Sequence, residues 1–293
     1  MTVLVVGASG YLGRSVVDAL RAAGQETAGT HFSNAVDGAT HPYDFFESDL
    51  RDLPLGAVDA VVFAAHVERT GHPFERFATA AEGFVDAVRD AAVRLVYVSS
   101  AGVFDGSGTR YTESVDPTPK SRYGRRLRRF ERCVATLPDA CAFRADYLFG
   151  HSRGVLDERL SRTRRLVRAG QTVPYYADMW KSPCHVQEAG RALAVLSLGD
   201  ARGVVHAPTP RTSAWAFHRA GMAALGEDAR LVVPEPMPED PTLHRDSSLA
   251  SDRFEQVCGF RPRSVTTALR EPHDSASPSA ATALSSVTDR ARR

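Results

Sequence analysis

The chain begins with MTVLVVGASGYLG, and this stretch constrains its fold more than any other. Thr2–Val6 is an apolar, β-branched run, which predicts a strand buried on both faces. A glycine-rich turn follows at once, and from Leu12 the apolar residues recur at helical spacing until Gly24. A strand, a glycine-rich turn and a helix in direct succession predict the first unit of a parallel α/β sheet.

The glycines of this turn have the spacing that a bound dinucleotide requires. Gly7 allows the tight exit from the strand, Gly10 lets a pyrophosphate approach the backbone, and Gly13 lets helix and strand pack closely. The helix N-terminus then offers N–H groups and a positive dipole end to the phosphates. We therefore predict a dinucleotide site rather than a glycine-rich turn without ligand. The residues predicted to bind the cofactor here are Gly7, Ser9, Gly10, Tyr11, Leu12 and Gly13.

The composition is that of an ordinary globular protein and argues against several classes. The chain of 293 residues can bury a sizeable core, and its net charge of +1 argues against nucleic-acid binding. Its four cysteines lack metal-ligand spacing, so we expect reduced thiols, no metal site and a cytoplasmic location. No apolar run approaches the ~20 residues of a membrane span, and no signal-peptide pattern is present. We expect a small-molecule substrate and no membrane partner, with a homodimer left open.

The end of the second predicted strand bears on the choice of cofactor. Residues 26–30 are a plausible strand, and in a dinucleotide-binding sheet its end meets the adenosine ribose. An acidic residue there selects NAD by bonding the 2′-hydroxyl, but the sequence continues His31, Phe32, Ser33 and Asn34. His31 and Ser33 are suited to a 2′-phosphate, so we expect NADP(H) to be preferred over NAD(H). The alternative is a polar loop that distinguishes neither.

Strands and helices alternate through the next hundred residues. The predicted elements are strands at 58–65, 94–100 and 141–149 and helices at 74–92 and 121–137. Asp44 and Phe45 follow a short third strand, where the adenine is expected. Ala64 and Ala65 give the end of the fourth strand small side chains, where a cofactor would press against it. This alternation predicts the α/β class, with a doubly wound parallel sheet of the Rossmann type and right-handed crossovers.

Beyond Gly150 the alternation weakens, which predicts a second part of the molecule. We predict a dinucleotide-binding domain at 1–150 with 184–210 returning to it, a smaller substrate-binding α/β cap at 151–183 and 211–270, and a tail at 271–293. Within the cap we expect a basic helix at 151–170 and an irregular loop at 171–183. The tail lacks apolar periodicity, so we expect it to be disordered.

Eight short motifs are distributed along nearly the whole chain, up to about residue 270. They are GASGYLG at 7–13, SSAGVFDG at 99–106, YTESVDPTP at 111–119, RYGRRLRRFE at 122–131, FRADYLFG at 143–150, DMWKSP at 178–183, GVVH at 203–206 and HRDSSLASDRF at 244–254. No later motif is specific alone. Together they resemble the extended short-chain dehydrogenase/reductase branch that contains the dTDP-4-dehydrorhamnose reductases, within the NAD-dependent epimerase/dehydratase superfamily.

This resemblance implies a carbonyl reductase with three catalytic positions. In the family a Ser or Thr hydroxyl polarises the substrate carbonyl and a Tyr delivers the proton. A Lys four residues after the Tyr holds the nicotinamide ribose and lowers the Tyr pKa. The resemblance assigns the first role to Ser100 and the second to Tyr123, which also contacts the cofactor. The third position is Leu127, which can neither bond a ribose nor stabilise a phenolate.

The missing lysine leaves the source of positive charge open. Only two of the 36 basic residues are lysines, Lys120 and Lys181, and Lys120 lies on the loop before the helix, where it could fold back. Arg126 and Arg128 flank Leu127 but are rotated roughly 100° away on the helix. We expect the arginines of this helix to form a solvated surface: Arg122, Arg125, Arg126, Arg128, Arg129 and Arg132.

The substrate is expected in the crevice at the carboxyl ends of the strands. The candidates for its lining are Phe104, Asp146, Tyr147, Arg153, Tyr176, Trp180 and Lys181, although the aromatic residues could equally fill the core. His66, just after the fourth strand, is a third catalytic candidate that could assist or replace the proton donor; a satisfied loop histidine is the alternative.

Three functions remain in view. The leading hypothesis is an NADP(H)-dependent reductase of a keto-sugar or a related intermediate of specialised metabolism. Leu127 keeps open a non-redox reaction on the same scaffold, such as an epimerisation, elimination or cyclisation. The third is a catalytically inactive, dinucleotide-binding regulatory subunit, because a fold does not fix a function.

Overall fold

A computed structural model of the chain describes residues 1–33, 35–36 and 41–271. Its strands are β1 (Thr2–Val6), β2 (Glu26–His31), β3 (His41–Pro42), β4 (Ala60–Phe63), β5 (Arg94–Ser100), β6 (Ala140–Ala145), β7 (Leu148–Phe149), β8 (His151–Ser152), β9 (Val155–Leu156), β10 (Val173–Tyr176), β11 (Trp180–Lys181), β12 (Cys184–His185), β13 (Gly203–His206), β14 (Thr212–Ser213) and β15 (Val232–Glu235). Its helices are α1 (Tyr11–Ala22), α2 (Phe74–Asp90), α3 (Arg122–Val134), α4 (Glu158–Arg168), α5 (Val186–Leu198), α6 (Ala214–Ala224), α7 (Phe254–Cys258) and α8 (Val265–Arg270). Asn34 and all of the predicted tail except Glu271 lie outside the described residues.

The central layer is a seven-stranded sheet in the order β13-β6-β5-β4-β1-β2-β3. All of its neighbouring strands pair in parallel, so each connection crosses back to the end of the sheet at which the strands begin. The order reverses between β1 and β4, and this places the crevice of a doubly wound sheet at their carboxyl ends. The predicted α/β class and parallel sheet are confirmed.

Both faces of the sheet are covered, because successive residues of β1 point to opposite layers. Val3 and Val5 join a core formed with α1, α5 and α7, whereas Leu4 and Val6 join a core formed with α2 and α3. The α1–α5 contact is close: a Cβ on Gly190 would lie 2.6 Å from the Ser15 carbonyl oxygen. Because α5 and β13 build part of this sandwich, residues beyond the weakened alternation return to the central layer.

A third, smaller core lies among α4, α6, α8 and the parallel pair β10–β15, around residues such as Leu160 and Phe217. Here the sequence-based boundaries were wrong in two places. The predicted helix at 151–170 starts with a β8–β9 hairpin, because Arg153 and Gly154 adopt positive φ angles, and Asp157 then caps α4. The predicted irregular loop at 171–183 contains β10 and β11, which find partners distant in sequence.

The predicted strand at 141–149 is also divided. β6 leaves the sheet after Ala145, where the Asp146 carboxylate accepts a hydrogen bond from the Ser182 N–H at 3.0 Å, and β7 pairs with β12 instead. All four cysteines are buried and reduced. In the part of the chain that the structure describes, no helix combines the length and apolar character needed to cross a membrane.

Candidate active site

The glycine turn between β1 and α1 has the close backbone contacts that the sequence predicts. Gly7 has a φ of 86°, and a Cβ there would lie 2.8 Å from the Ala65 backbone. A Cβ on Gly13 would lie 2.1 Å from the Gly7 carbonyl oxygen, so only glycine lets the helix start this close to the strand. No side chain of the described residues caps α1 at Gly10. The open backbone donors and the tight cradle therefore fit a dinucleotide pyrophosphate.

The ends of β2 and β4 lie beside the glycine turn. The Thr30 hydroxyl accepts a hydrogen bond from the Gly7 N–H at 2.9 Å, which ties β2 to the glycine turn. His31 follows, and its buried Nδ1 has no hydrogen-bond partner among the described residues. Phe32 is 74% exposed beside it. A buried donor or acceptor without a partner is costly, so this atom favours a ligand that supplies one.

The loop after β3 corrects one predicted cofactor contact. Asp44 holds the loop, because its carboxylate accepts a hydrogen bond from the Phe46 N–H at 2.8 Å. Phe45 is only 8% exposed, and its ring packs against Phe63 and Phe130 in the core. Its side chain therefore does not face the dinucleotide, in contrast to the prediction.

Two glycines bring Ser100 and Tyr123 together. Ser100 ends β5 and caps the 3₁₀ turn Ala101–Val103, accepting a hydrogen bond from the Gly102 N–H at 3.2 Å. A Cβ on Gly124 would lie 2.1 Å from the Gly102 carbonyl oxygen, so the first turn of α3 rests directly on this 3₁₀ turn. The Tyr123 ring consequently lies over Gly102, with its Cε1 2.9 Å from the position of a Cβ there, and the nearby Ser100 hydroxyl lowers the pKa of the phenol. The two residues that the resemblance predicts to act together are neighbours.

The surroundings of Tyr123 keep its phenol protonated. Burial raises the pKa of Tyr123 to about 12, and the nearby Glu68 carboxylate adds to the rise. The nearby Ser100 hydroxyl and the charge of Arg69 lower the pKa of the phenol. A phenol in this state can donate a proton, and it needs nearby positive charge when it does so.

Leu127, at the position of the family lysine, faces the core. Leu127 is 1% exposed and packs beside Phe130 under β5. Lys120 does not fold back toward Tyr123, because its ammonium donates to the Leu243 carbonyl oxygen at 2.7 Å. Neither residue therefore supplies charge to the Tyr123 phenol.

Arg126 contradicts the predicted solvated surface, since it is 1% exposed. Its guanidinium donates to the carbonyl oxygens of Glu68 and Thr70 at 3.0 and 2.7 Å, and to that of His72. These carbonyls belong to the loop after β4, which crosses the helix here and leaves Arg126 no path to solvent. The remaining arginines of α3 are exposed or half-buried: Arg122, Arg125, Arg128, Arg129 and Arg132.

The 3₁₀ turn Val67–Arg69 adds two residues that sequence reasoning missed. Glu68 is 2% exposed, and its carboxylate accepts a hydrogen bond from the Tyr97 hydroxyl at 2.6 Å. The Arg69 guanidinium carbon lies 4.5 Å from the centroid of the Tyr123 ring, and its Nε donates to His66 Nε2 at 3.3 Å. The His66 ring meets Tyr123 edge-on at 5.6 Å. Only the charged pair in HVER, following a strand end, could have drawn attention to this turn.

The buried Glu68 carboxyl gives a testable pH dependence. Burial raises the pKa of Glu68 from 4.5 to about 7. Between pH 4.5 and pH 7 the carboxyl is therefore protonated in the folded state and ionised in the unfolded state. Stability is therefore expected to fall as pH rises from 4.5 through 7. The fall in the free energy of unfolding is on the order of 2–3 kcal/mol by about pH 8, and Glu68→Gln should abolish it. Urea unfolding at several pH values measures the effect. Glu75→Gln, at an exposed position of α2, is the matched control and should leave the pH profile unchanged.

Asp146 and Lys181 are linked through the Ser247 hydroxyl. Lys181 is 7% exposed and donates to the Ser247 hydroxyl at 2.8 Å, and this hydroxyl donates to the Asp146 carboxylate at 3.0 Å. The Asp146 charge contributes to the raised pKa of Tyr123, which places it near the phenol. Three of the predicted site residues, Tyr123, Asp146 and Lys181, thus lie near one another.

Two cations, Lys181 and Arg159, lie over the ring of Tyr147, and the sequence analysis did not predict Arg159. The Lys181 ammonium is 5.2 Å from the ring centroid, and the guanidinium carbon of Arg159 is 4.2 Å from it. Arg159 is exposed on the first turn of α4, and its charge reaches His66. An exposed guanidinium beside an aromatic ring at this crevice suits an anionic, partly planar ligand.

The other predicted substrate residues do not gather here. Phe104 is fully buried and stacks on Tyr111 with 4.1 Å between ring centroids, so it fills the core instead of lining the crevice. Arg153 is ion-paired with Asp18 of α1 at 2.7 Å. Two further candidates, Tyr176 on β10 and Trp180 on β11, are half-buried, and Trp180 is covered by Arg211.

Comparisons with known proteins agree with this architecture. Among solved structures, a dTDP-4-dehydrorhamnose reductase from Bacillus anthracis in complex with NADP superposes with a TM-score of 0.74 at 17% identity, covering 92% of this chain and 97% of the other. A UDP-N-acetylglucosamine 4-epimerase from Bacillus cereus superposes with a TM-score of 0.76 at 18% identity, with the same coverages of 92% and 97%. These two show the fold.

A curated relative is similar in sequence. The dTDP-4-keto-6-deoxy-D-glucose reductase of Streptomyces niveus is 30% identical over 153 residues, which are 50% of this chain and 52% of that protein. The match therefore spans about half the length of the curated relative. The profile of the RmlD substrate binding domain family matches residues 1–277. The predicted resemblance is confirmed, and the chain belongs to the RmlD substrate binding domain family.

Proposed function

We propose that this chain is an NADP(H)-dependent reductase of a nucleotide-linked keto-sugar. The packing of the first turn of α3 on the 3₁₀ turn after β5, which brings Tyr123 beside Ser100 at the carboxyl edge of the sheet, is the observation that carries the proposal. It lies next to a glycine turn suited to a dinucleotide. The substrate class follows from the family and from the Streptomyces niveus relative, whose substrate is a dTDP-linked 4-keto-sugar.

Residues of the first half of the sheet would hold the cofactor. The backbone of the glycine turn would hold the pyrophosphate, while His31 and Ser33 would face the adenosine ribose. When bound, NADP(H) would supply the hydride to the carbonyl carbon. Ala64 and Ala65 keep the wall beside the turn small enough for this ligand.

The residues of this chain would handle the oxygen end of the carbonyl. Ser100 would donate a hydrogen bond to the carbonyl oxygen and polarise it, and Tyr123 would deliver the proton. Asp146, Lys181 and Tyr147 would orient the sugar, and Arg159 would meet the phosphates of the nucleotide. His66 remains a candidate to assist proton delivery, since it contacts both Arg69 and the Tyr123 ring.

We expect NADPH to bind more tightly than NADH, and calorimetric titration of the ligand-free protein measures the difference. His31→Ala should reduce that preference, because the imidazole would no longer meet the 2′-phosphate. Gly10→Val should abolish binding of both cofactors, since the side chain would occupy the space of the pyrophosphate. Equal affinities in the unmodified protein would contradict the assignment of His31 and Ser33.

The direct test of the proposed reaction uses dTDP-4-keto-6-deoxy-D-glucose and NADPH with the purified protein. The proposal expects loss of NADPH absorbance with formation of one equivalent of a dTDP-6-deoxyhexose, identified by NMR. A panel of nucleotide-linked keto-sugars with other stereochemistry tests the choice of substrate. No NADPH oxidation with any member of the panel would count against reduction.

A second candidate, non-redox chemistry on the same scaffold, is favoured by one observation. Leu127 is buried in the core, so the ribose and phenolate contacts of the family lysine are absent from α3. An epimerisation, elimination or cyclisation would change the sugar without net consumption of NADPH, and the same NMR assay separates it from reduction. Binding of dinucleotide without any turnover would favour the regulatory subunit. The homodimer and the division into two functional domains remain predictions.

A further inference from the structure

The Tyr123 phenol requires a cation that its own helix does not supply. The three α3 positions nearest the gap are committed elsewhere: Leu127 lies in the core, Arg126 donates to loop carbonyls, and Arg128 pairs with Glu131 at 3.6 Å. The cation must therefore come from a different element of the fold.

Arg69 occupies a suitable position on the 3₁₀ turn after β4. Its guanidinium carbon lies 4.5 Å from the centroid of the Tyr123 ring, well inside the range of a cation–π contact. Its Nε donates to His66 Nε2 at 3.3 Å, so the ring of His66 directs the guanidinium. His66 and Arg69 together cover two sides of the tyrosine.

The turn that carries Arg69 is fastened to the helix that carries Tyr123. The buried guanidinium of Arg126 binds the carbonyl oxygens of Glu68 and Thr70, the residues on either side of Arg69. The Glu68 side chain is held in turn by the Tyr97 hydroxyl. The backbone of Arg69 is therefore fixed relative to α3, although its side chain is exposed.

We propose that Arg69 supplies the positive charge that stabilises the Tyr123 phenolate, in place of the lysine absent from position 127. This rests on the proposed function. In the proton transfer the phenol O–H bond breaks and an O–H bond forms on the substrate oxygen, which leaves the negative charge on Tyr123. A guanidinium keeps its protons at all working pH values, so Arg69 stabilises this charge without relaying a proton. Solvent returns the proton afterwards. Arg69 is thus a positioning residue that acts through Tyr123.

Several other groups act on the phenol and must be held constant in any test. Glu68 and Asp146 oppose its ionisation, whereas the neighbouring Ser100 hydroxyl and the charge of Arg69 favour it. The buried Tyr97 and the edge of the His66 ring complete the surroundings. Only a change confined to Arg69 tests the proposal.

The first experiment measures the phenol in the ligand-free protein. Tyrosine labelled with ¹³C at Cζ reports ionisation by NMR, and the Tyr123→Phe variant identifies the resonance. We expect Arg69→Met to move the onset of Tyr123 ionisation upward by roughly one pH unit, and Arg69→Lys to leave it near that of the unmodified protein. The titration extends to the highest pH at which circular dichroism shows a folded protein.

The second experiment measures turnover. Arg69→Met is expected to lower kcat by about 10-fold with little change in KM, and to shift the alkaline limb of the pH profile upward. Arg69→Lys should retain most of the activity, and adding Leu127→Lys to Arg69→Met should restore part of it. In the Tyr123→Phe background Arg69→Met should have no further effect. Arg132→Met, at an exposed position of α3, is the matched control.

Three results would overturn the proposal. They are an unchanged Tyr123 titration in Arg69→Met, an equal loss of kcat in Arg69→Met and Arg69→Lys, and full additivity with Tyr123→Phe. If the unmodified protein reduces no sugar, the proposed function fails, but the NMR titration still decides whether Arg69 sets the ionisation of Tyr123.

Discussion

Tyr123→Phe is expected to lower kcat by about 10²–10⁴-fold, the usual contribution of a positioned proton donor. The phenol lies beside Ser100, and the substitution removes only its hydroxyl. The aromatic ring and its contact with Arg69 remain, so the variant should still bind NADPH in a calorimetric titration. Steady-state NADPH oxidation with the keto-sugar substrate provides the measurement.

Tyr43→Phe is the matched control for this change. Tyr43 is buried in the core that flanks β4 and has no assigned part in the proton transfer, so losing its hydroxyl should leave kcat unchanged. Undiminished turnover in Tyr123→Phe would show that the proton comes from another group. His66 is then the next residue to replace, because its ring meets the Tyr123 ring.

Arg144→Met is expected to destabilise the protein by about 3–5 kcal/mol, the range for breaking a buried ion pair. Arg144 and Glu131 are 1% and 4% exposed, and they form a two-pronged pair at 2.7 and 2.8 Å. The Ser99 hydroxyl donates to the same carboxylate at 2.6 Å, and Arg144 also contacts His206 at 3.2 Å. Loss of Arg144 removes the two close hydrogen bonds from its guanidinium to the buried Glu131 carboxylate and leaves it the longer ion pair to Arg128 at 3.6 Å. Urea unfolding at neutral pH measures the effect.

The double variant Arg144→Met/Glu131→Gln separates charge from packing. Removing both charges should recover much of the lost stability, because the carboxylate no longer has to be buried without its close partner. A double variant as unstable as Arg144→Met would attribute the cost to packing against Phe104, over which the guanidinium lies at 5.2 Å.

The sequence predicted those features that depend on neighbours along the chain. The glycine turn after β1 and the strand Arg94–Ser100 follow from local patterns, and the parallel sheet follows from their alternation. The buried Arg126 could not be predicted, because its partners are carbonyls more than fifty residues away. A charged residue with helical neighbours looks solvated until a distant loop covers it.

The same limit applies to the candidate site. Ser100 and Tyr123 were found through a family pattern, whereas Glu68 and Arg69 sit in a short turn without periodicity. The hairpin at the start of the predicted helix 151–170 was missed for a related reason. Arg153 adopts a positive φ there, a conformation that non-glycine residues seldom take and composition does not reveal.

The contact between Gly102 and Gly124 has a consequence for engineering this scaffold. Main chain rests on main chain there, and the side chains of Tyr123 and Leu127 both lie over Gly102. A side chain at either glycine would push the first turn of α3 away from the 3₁₀ turn and move Tyr123 away from Ser100. Any redesign around the tyrosine therefore has to retain both glycines.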